Sequence, residues 1–228
     1  MTTDIKQRAK DIVKADLNNM VIGTGIFALI SILASAMGDG IIASAVSGLI
    51  SSVAAACSAC FYFRAFNRGK SDLYDTYALL TDSTHMTKII SIILAMWLIN
   101  TLLGIAATFV AFIPFIGALA VFVIALLVGY LLAIVWYLFV ANPDYPTDYY
   151  LKGSVKYMGA GGTLLSFIGF VFIVSFVPAL IEGMLAMLVG SAIASVLCIP
   201  LDAYVNLAIA GYVSSIIPDA WFSGTEIL

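Results

Sequence analysis

The chain has 228 residues, 63% of them hydrophobic and 10% charged, with a formal net charge of −3. Soluble domains carry about 25% charged residues, so this composition excludes a soluble globular protein and gives no basic surface for nucleic acid. It is the composition of an integral membrane protein.

In chain order, residues 1–19 read first as an amphipathic helix. Ile5, Ala9, Ile12, Val13 and Leu17 recur at helical spacing, with Lys6, Arg8, Lys10, Asp11 and Lys14 between them. Such a helix is expected to lie in the cytoplasmic membrane interface. Asp4 suits its N-terminal dipole and stands four residues before Arg8, a pairing distance on a helix.

A spanning helix needs about 20 mostly apolar residues, and six such stretches follow, at 20–37, 41–63, 88–111, 116–141, 162–183 and 188–216. The runs are continuous rather than alternating, which excludes a transmembrane β-barrel. The expected fold class is all-α: six transmembrane helices arranged as three hairpins at 20–63, 88–141 and 162–216. A basic segment at 64–87, an interfacial helix at 142–161 and a tail at 217–228 complete the chain. The start also imitates a secretory signal, with Ala34-Ser35-Ala36 as its cleavage site. Asp4, Asp11 and Asp16 among the basic residues, and a second span after a three-residue turn, argue for an uncleaved first span.

Charge placement gives the orientation. Lys6, Arg8, Lys10 and Lys14 precede span one; Arg64, Arg68, Lys70 and Lys88 separate spans two and three; Lys152 and Lys156 separate spans four and five. All ten cations therefore fall on one side of a six-span arrangement. Gly38-Asp39-Gly40, Ile113-Pro114-Phe115 and the turn expected near Gly183 carry none. Positive loops stay inside, so both termini are expected in the cytoplasm of a cell membrane, with the basic residues near anionic lipid head groups.

Two more short helices are expected on that side, one capped by Ser71 and running through Leu79, one starting at Pro146 and Thr147. Each hairpin would then be preceded by an interfacial helix, an internal threefold repeat of spacing rather than residue identity. Tyr62, Trp136, Tyr137, Tyr145, Tyr149, Tyr150 and Tyr157 are placed as interfacial anchors. Pro178 and Pro200 fall inside spans and should kink them. Cys57 and Cys60 form a CxxC within span two, and with a single histidine, His85, they read as packing residues. No metal site or cofactor is expected.

Several segments carry a resemblance: Ile5-Lys6-Gln7-Arg8-Ala9-Lys10, Asn142-Pro143-Asp144, the 154–158 segment SVKYM, the 165–170 segment LSFIGF, and Pro200 followed by Tyr212. Together they resemble the bacterial membrane family known as domain of unknown function 975. The resemblance implies a six-helix bacterial membrane protein and brings no established activity.

The residues that could carry chemistry lie in span six. Ser191, Ser195, Cys198, Asp202 and Asn206 follow at steps of four, three, four and four, which at about 100° per residue keeps them on one face. Asp202 falls near mid-span, where an ionised carboxylate costs about 2.5 to 3.5 kcal/mol. It must face protein or water, or be protonated, and a neutral hydrogen-bonded acid is expected. Asn100 and Thr101 of span three lie at similar depth, as do Tyr130 and a seam of Ser44, Ser47, Ser51, Ala54 and Ser58. Three readings stand open: an interhelical network that fixes packing, a polar cavity for protons, an ion or a small solute, and an intramembrane enzyme. Glu182 is expected at the external interface, and it would join Asp202 only if span five were displaced. No motif supplies catalytic residues. The first function expected is therefore a non-enzymatic accessory or scaffold, with a small transporter or lipid-handling protein as the alternative. Its expected partners are the bilayer and another membrane protein or further copies of itself.

Overall fold

The computed structural model describes residues 2–37, 40–110 and 116–225. Among them all regular structure is helical, and six helices are long and apolar enough to cross a membrane. The chain is a multi-pass membrane protein on that evidence. Gly38, Asp39 and residues 113–115, where two external turns are expected, lie outside the described residues, as do 226–228.

Helix α1 covers Thr2–Ala15 and α2 covers Leu17–Ser35, with Asp16 between them at φ −132. The apolar face of α1 is buried: Ile5, Ala9, Ile12 and Val13 all pack inside the protein, with α9 as the main partner. The amphipathic pattern forms the expected helix, and its apolar face covers protein.

Helix α3, Ile41–Arg68, runs five residues past the predicted end. Its last turn is polar enough to leave the hydrocarbon, and Gly69 stops it in the left-handed conformation at φ 75. The expected α-helix after Ser71 is replaced by two 3-10 turns, Leu73–Thr76 and Ala78–Leu80. Asp72, not Ser71, caps the first of them by accepting from the Tyr74 N–H at 2.9 Å. Ser71 is drawn away: its N–H donates to Asp16 Oδ2 at 2.9 Å, and its hydroxyl bonds the same oxygen.

Helix α4, Ser83–Val110, begins five residues before the predicted span. The carboxylate of Asp82 accepts from the Thr84 N–H at 2.8 Å and so caps the early start. Span four is two helices, α5 at Ile116–Leu132 and α6 at Val135–Ala141. No proline or glycine stands at the break. Instead the Ser154 hydroxyl, from α7 (Thr147–Gly159), donates to the Leu131 carbonyl, a side chain entering the helix ladder.

Helix α8, Thr163–Val189, passes through Gly183 and ends at Gly190, six residues later than predicted; α9 occupies Ser191–Ile216 and α10 Asp219–Phe222. Gly183 is helical, whereas Gly190 has φ 88 and extended ψ, a conformation that strongly favours glycine. Pro178 and Pro200 lie within α8 and α9 as expected.

Helix α9 is the hub, packed against α8, α2, α3 and α1. Its buried inner half is rich in small residues, Ala203, Ala208 and Ala210, which allow close helix approach. The core is concentrated at the basic end of the bundle, where Cys60–Phe63 of α3, Ile89 and Ile92 of α4, Leu138 and Phe139 of α6, and Leu207 and Val213 of α9 are buried. Towards the opposite end Leu33, Leu49, Phe109, Phe122, Met187 and Leu197 are exposed from the protein. Lipid chains are as apolar as these side chains, so helices in a bilayer gain little by burying them.

Candidate functional site

The stripe on α9 meets different partners from those expected. Because α8 extends to Val189, Glu182 lies seven residues inside its end, about 10 Å along the helix. The Ser195 hydroxyl donates to Glu182 Oε1 at 3.0 Å. Glu182 is thus partly buried against α9, not free at an external interface. About two turns further along α9, on the same face as Ser195, Asp202 is partly buried. Cys198, between them, is buried and carries a free thiol.

Asn206 does not bond the Asp202 carboxylate. Its Nδ2 donates to the Asp202 backbone carbonyl at 2.9 Å, a bond within one helix. Among the described residues no side chain hydrogen-bonds the Asp202 carboxylate. Asn206 also lies beside the Tyr62 hydroxyl, which pairs with Thr24 Oγ1 at 2.8 Å. Tyr62 and Thr24 are 2% and 5% exposed. Tyr62 is therefore a buried hydrogen-bonding group linking α2 and α3, not an interfacial anchor. The polar residues form a broken string: Glu182 and Ser195, then Asp202, then Asn206, Tyr62 and Thr24.

Asn100 and Thr101 are elsewhere. Asn100 lines a cavity of about 270 Å³ with Leu103, Gly104, Val121 and Ile124, between α4 and α5. Thr101 is exposed and spends its hydroxyl on the Trp97 carbonyl of its own helix at 2.9 Å. Tyr130 meets the Phe167 ring edge-on at 6.0 Å. On α3, Ser44 and Ser51 are exposed and Ser58 bonds the Ala55 carbonyl.

The basic end is braced by charge. Asp75 is 1% exposed, and its two oxygens receive Arg64 and Arg68, each at 2.8 Å. Arg8 donates to the carbonyls of Phe66 at 2.8 Å and Asn67 at 3.3 Å, with its guanidinium 4.8 Å from the Phe66 ring. Three of the predicted lipid-facing cations are thus engaged in the protein. Lys10, Lys14 and Lys70 are exposed and Lys6 is half-buried.

The aromatic residues near this end form a second core. Trp221 of α10 is fully buried; its Nε1 donates to the Leu138 carbonyl at 2.9 Å, and Tyr145 lies 4.6 Å away, centroid to centroid. Tyr150 is buried under the same ring, its hydroxyl directed at the carbonyls of Tyr145 and Asn142, and burial raises its phenol above the ordinary value. The tail expected at 217–228 is therefore docked through Trp221, with the Phe222 ring stacked 6.1 Å from that of Phe63.

No family model, curated protein or solved structure matches this chain. Glu182 joins the α9 stripe because span five ends later than expected, and the sequence carries a signal for that: Gly190-Ser191 is a turn followed by a helix start. Nothing in the sequence marked Thr24 as the partner of Tyr62.

Proposed function

We propose that this chain is a non-enzymatic accessory or scaffold protein of a bacterial cell membrane, its six spans forming three hairpins with both termini cytoplasmic, and that it docks another membrane protein through α8 and α9. Membership in the family of domain of unknown function 975 belongs to the same proposal and rests on the segments described above. The orientation rests on the ten cations, and the scaffold on the braced basic end.

One observation carries the docking role. Glu182 and Asp202 sit on adjacent helices at membrane depth, both partly exposed, and the Asp202 carboxylate receives no hydrogen bond from a described residue. Lipid chains offer no donors, and a polar group left unsatisfied in hydrocarbon costs several kcal/mol, roughly. A transmembrane segment with a donor at mid-depth would satisfy it. The test places a photoreactive residue at Ser191, on the same face of α9. Capture of a membrane polypeptide that disappears in the Asp202→Leu, Glu182→Leu double variant supports the reading, and adducts to lipid alone refute it.

A second reading, passage of protons or a small solute, is favoured by the string from Glu182 to Thr24. Asp202→Asn separates the two, since it keeps hydrogen bonding and removes titration. Docking then persists, whereas a proton-coupled activity measured in vesicles is lost.

A further inference from the structure

We propose that a groove between α2, α3 and the 73–80 turns holds one acyl chain of a phospholipid from the leaflet at the basic end. The inference rests on the six membrane-crossing helices and not on the docking of a protein partner.

The groove has a volume of about 520 Å³, within the range of about 300 to 1,000 Å³ typical of small-molecule sites. Its walls are Ile30 and Phe27 of α2 and Leu49, Val53 and Cys57 of α3. From Leu49 to Cys57 is eight residues, about 12 Å along the helix. The two helices are packed on each other, so the space is a furrow along a helix pair. Its middle presents no polar side chain, which suits a hydrocarbon chain and offers nothing to a polar ligand or to the polar groups of another protein.

The furrow changes character along its length. At the basic end it meets Thr76, Tyr77 and Leu80 from the two 3-10 turns. The Thr76 hydroxyl already donates to the Leu73 carbonyl at 2.7 Å, so it has no unmet donor for a ligand to satisfy. Tyr77 is half exposed and braced edge-on by the Tyr74 ring at 5.1 Å. A tyrosine with its ring on hydrocarbon and its hydroxyl towards water marks the level of the lipid head groups. Apolar walls at mid-depth and one amphipathic ring at the basic end reproduce the polarity of a lipid lying parallel to the helices. Asp75, held by Arg64 and Arg68, anchors the segment that brings Thr76 and Tyr77 to this end of the groove.

The experiment is native mass spectrometry after exhaustive detergent exchange, combined with labelling by a phospholipid carrying a photoactivatable acyl chain. The wild type should retain one phospholipid, and its adducts should map to Ile50, Val53 and Cys57 rather than to the lipid-facing Phe172 and Phe176 of α8. Val53→Trp, which fills the furrow, should reduce retention at least tenfold with unchanged helix content, and Tyr77→Ala should reduce it severalfold. If Val53→Trp does not fold, Leu49→Trp at the exposed outer mouth serves instead. The proposal is overturned if the wild type retains no lipid, if α8 is labelled as strongly as α3, if retention is insensitive to a folded furrow-filling variant, or if the furrow cross-links to protein.

Discussion

The Ser195 hydroxyl donates to Glu182 Oε1 across the α8–α9 interface at 3.0 Å. Removing the donor by Ser195→Ala should cost about 0.6 kcal/mol, the average for side-chain hydrogen bonds between membrane helices, and no more than about 1.7 kcal/mol. Glu182→Gln keeps the acceptor and should cost less. Unfolding equilibria in mixed micelles measure both, and a Ser195→Ala variant as stable as the wild type would show that the bond contributes nothing.

Asp75 is buried between two guanidinium groups, so its loss leaves Arg64 and Arg68 without their shared acceptor. Breaking a buried ion pair from one side costs about 3 to 5 kcal/mol. Arg64 and Arg68 are partly exposed, 29% and 48%, which places Asp75→Ala at the lower end of that range. Amide exchange across 71–80 should rise in this variant before exchange in α8 does.

A Cβ built on Gly153 would lie 2.9 Å from the Trp221 ring, and one on Gly211 would lie 2.3 Å from the Phe66 ring. Alanine has the better helix propensity by about 1 kcal/mol, but overpacking costs about 1 to 3 kcal/mol. Gly211→Ala should therefore destabilise, because the rigid Phe66 ring must move. Trp221→Ala should cost about 3 to 5 kcal/mol by opening a cavity. Loss of α10 protection from protease in Trp221→Ala, with α8 and α9 intact, would verify the docked tail.

The Thr84 N–H holds the Asp82 carboxyl below its ordinary value, with His85 adding a smaller electrostatic contribution. A depressed carboxyl stabilises the fold above its unfolded value, about 3.9, and that contribution disappears as pH falls through the lower folded value. Acidification from about pH 6 to about pH 3 should therefore loosen the first turn of α4. Amide exchange at Thr84, normalised for intrinsic rate, reports it, and Asp82→Ala should show the loosened turn already at neutral pH.

Long apolar runs were legible because a spanning helix satisfies its own backbone, so its existence follows from local composition. Helix ends were legible only in part. The extension of α3 to Arg68 is held by Asp75, seven and eleven residues away, whereas the early start of α4 carries a local signal in Asp82, which caps it through the Thr84 N–H. The end of α8 could be read at Gly190 but not excluded at Gly183, since a glycine without its φ marks no turn. The break between α5 and α6 had no local signal at all, because its cause is a hydroxyl from α7.

For the candidate site, spacing alone placed Ser195, Cys198, Asp202 and Asn206 on one face of one helix, a property of helical geometry. Spacing said nothing of which helix lies opposite. Depth made Asn100 and Thr101 plausible neighbours of Asp202, yet Asn100 lines a cavity between α4 and α5 and Thr101 is exposed on α4. Periodicity likewise found the apolar face of α1 but could not tell a protein surface from a lipid surface, since both bury the same side chains. The sequence by itself determined that six stretches are long and apolar enough to cross a membrane, and which residues share a helix face. Only the tertiary structure decided that Glu182 meets Ser195, that Tyr62 meets Thr24 and that Asp75 holds two arginines, because these contacts join residues 7 to 38 positions apart through packing that no local pattern encodes.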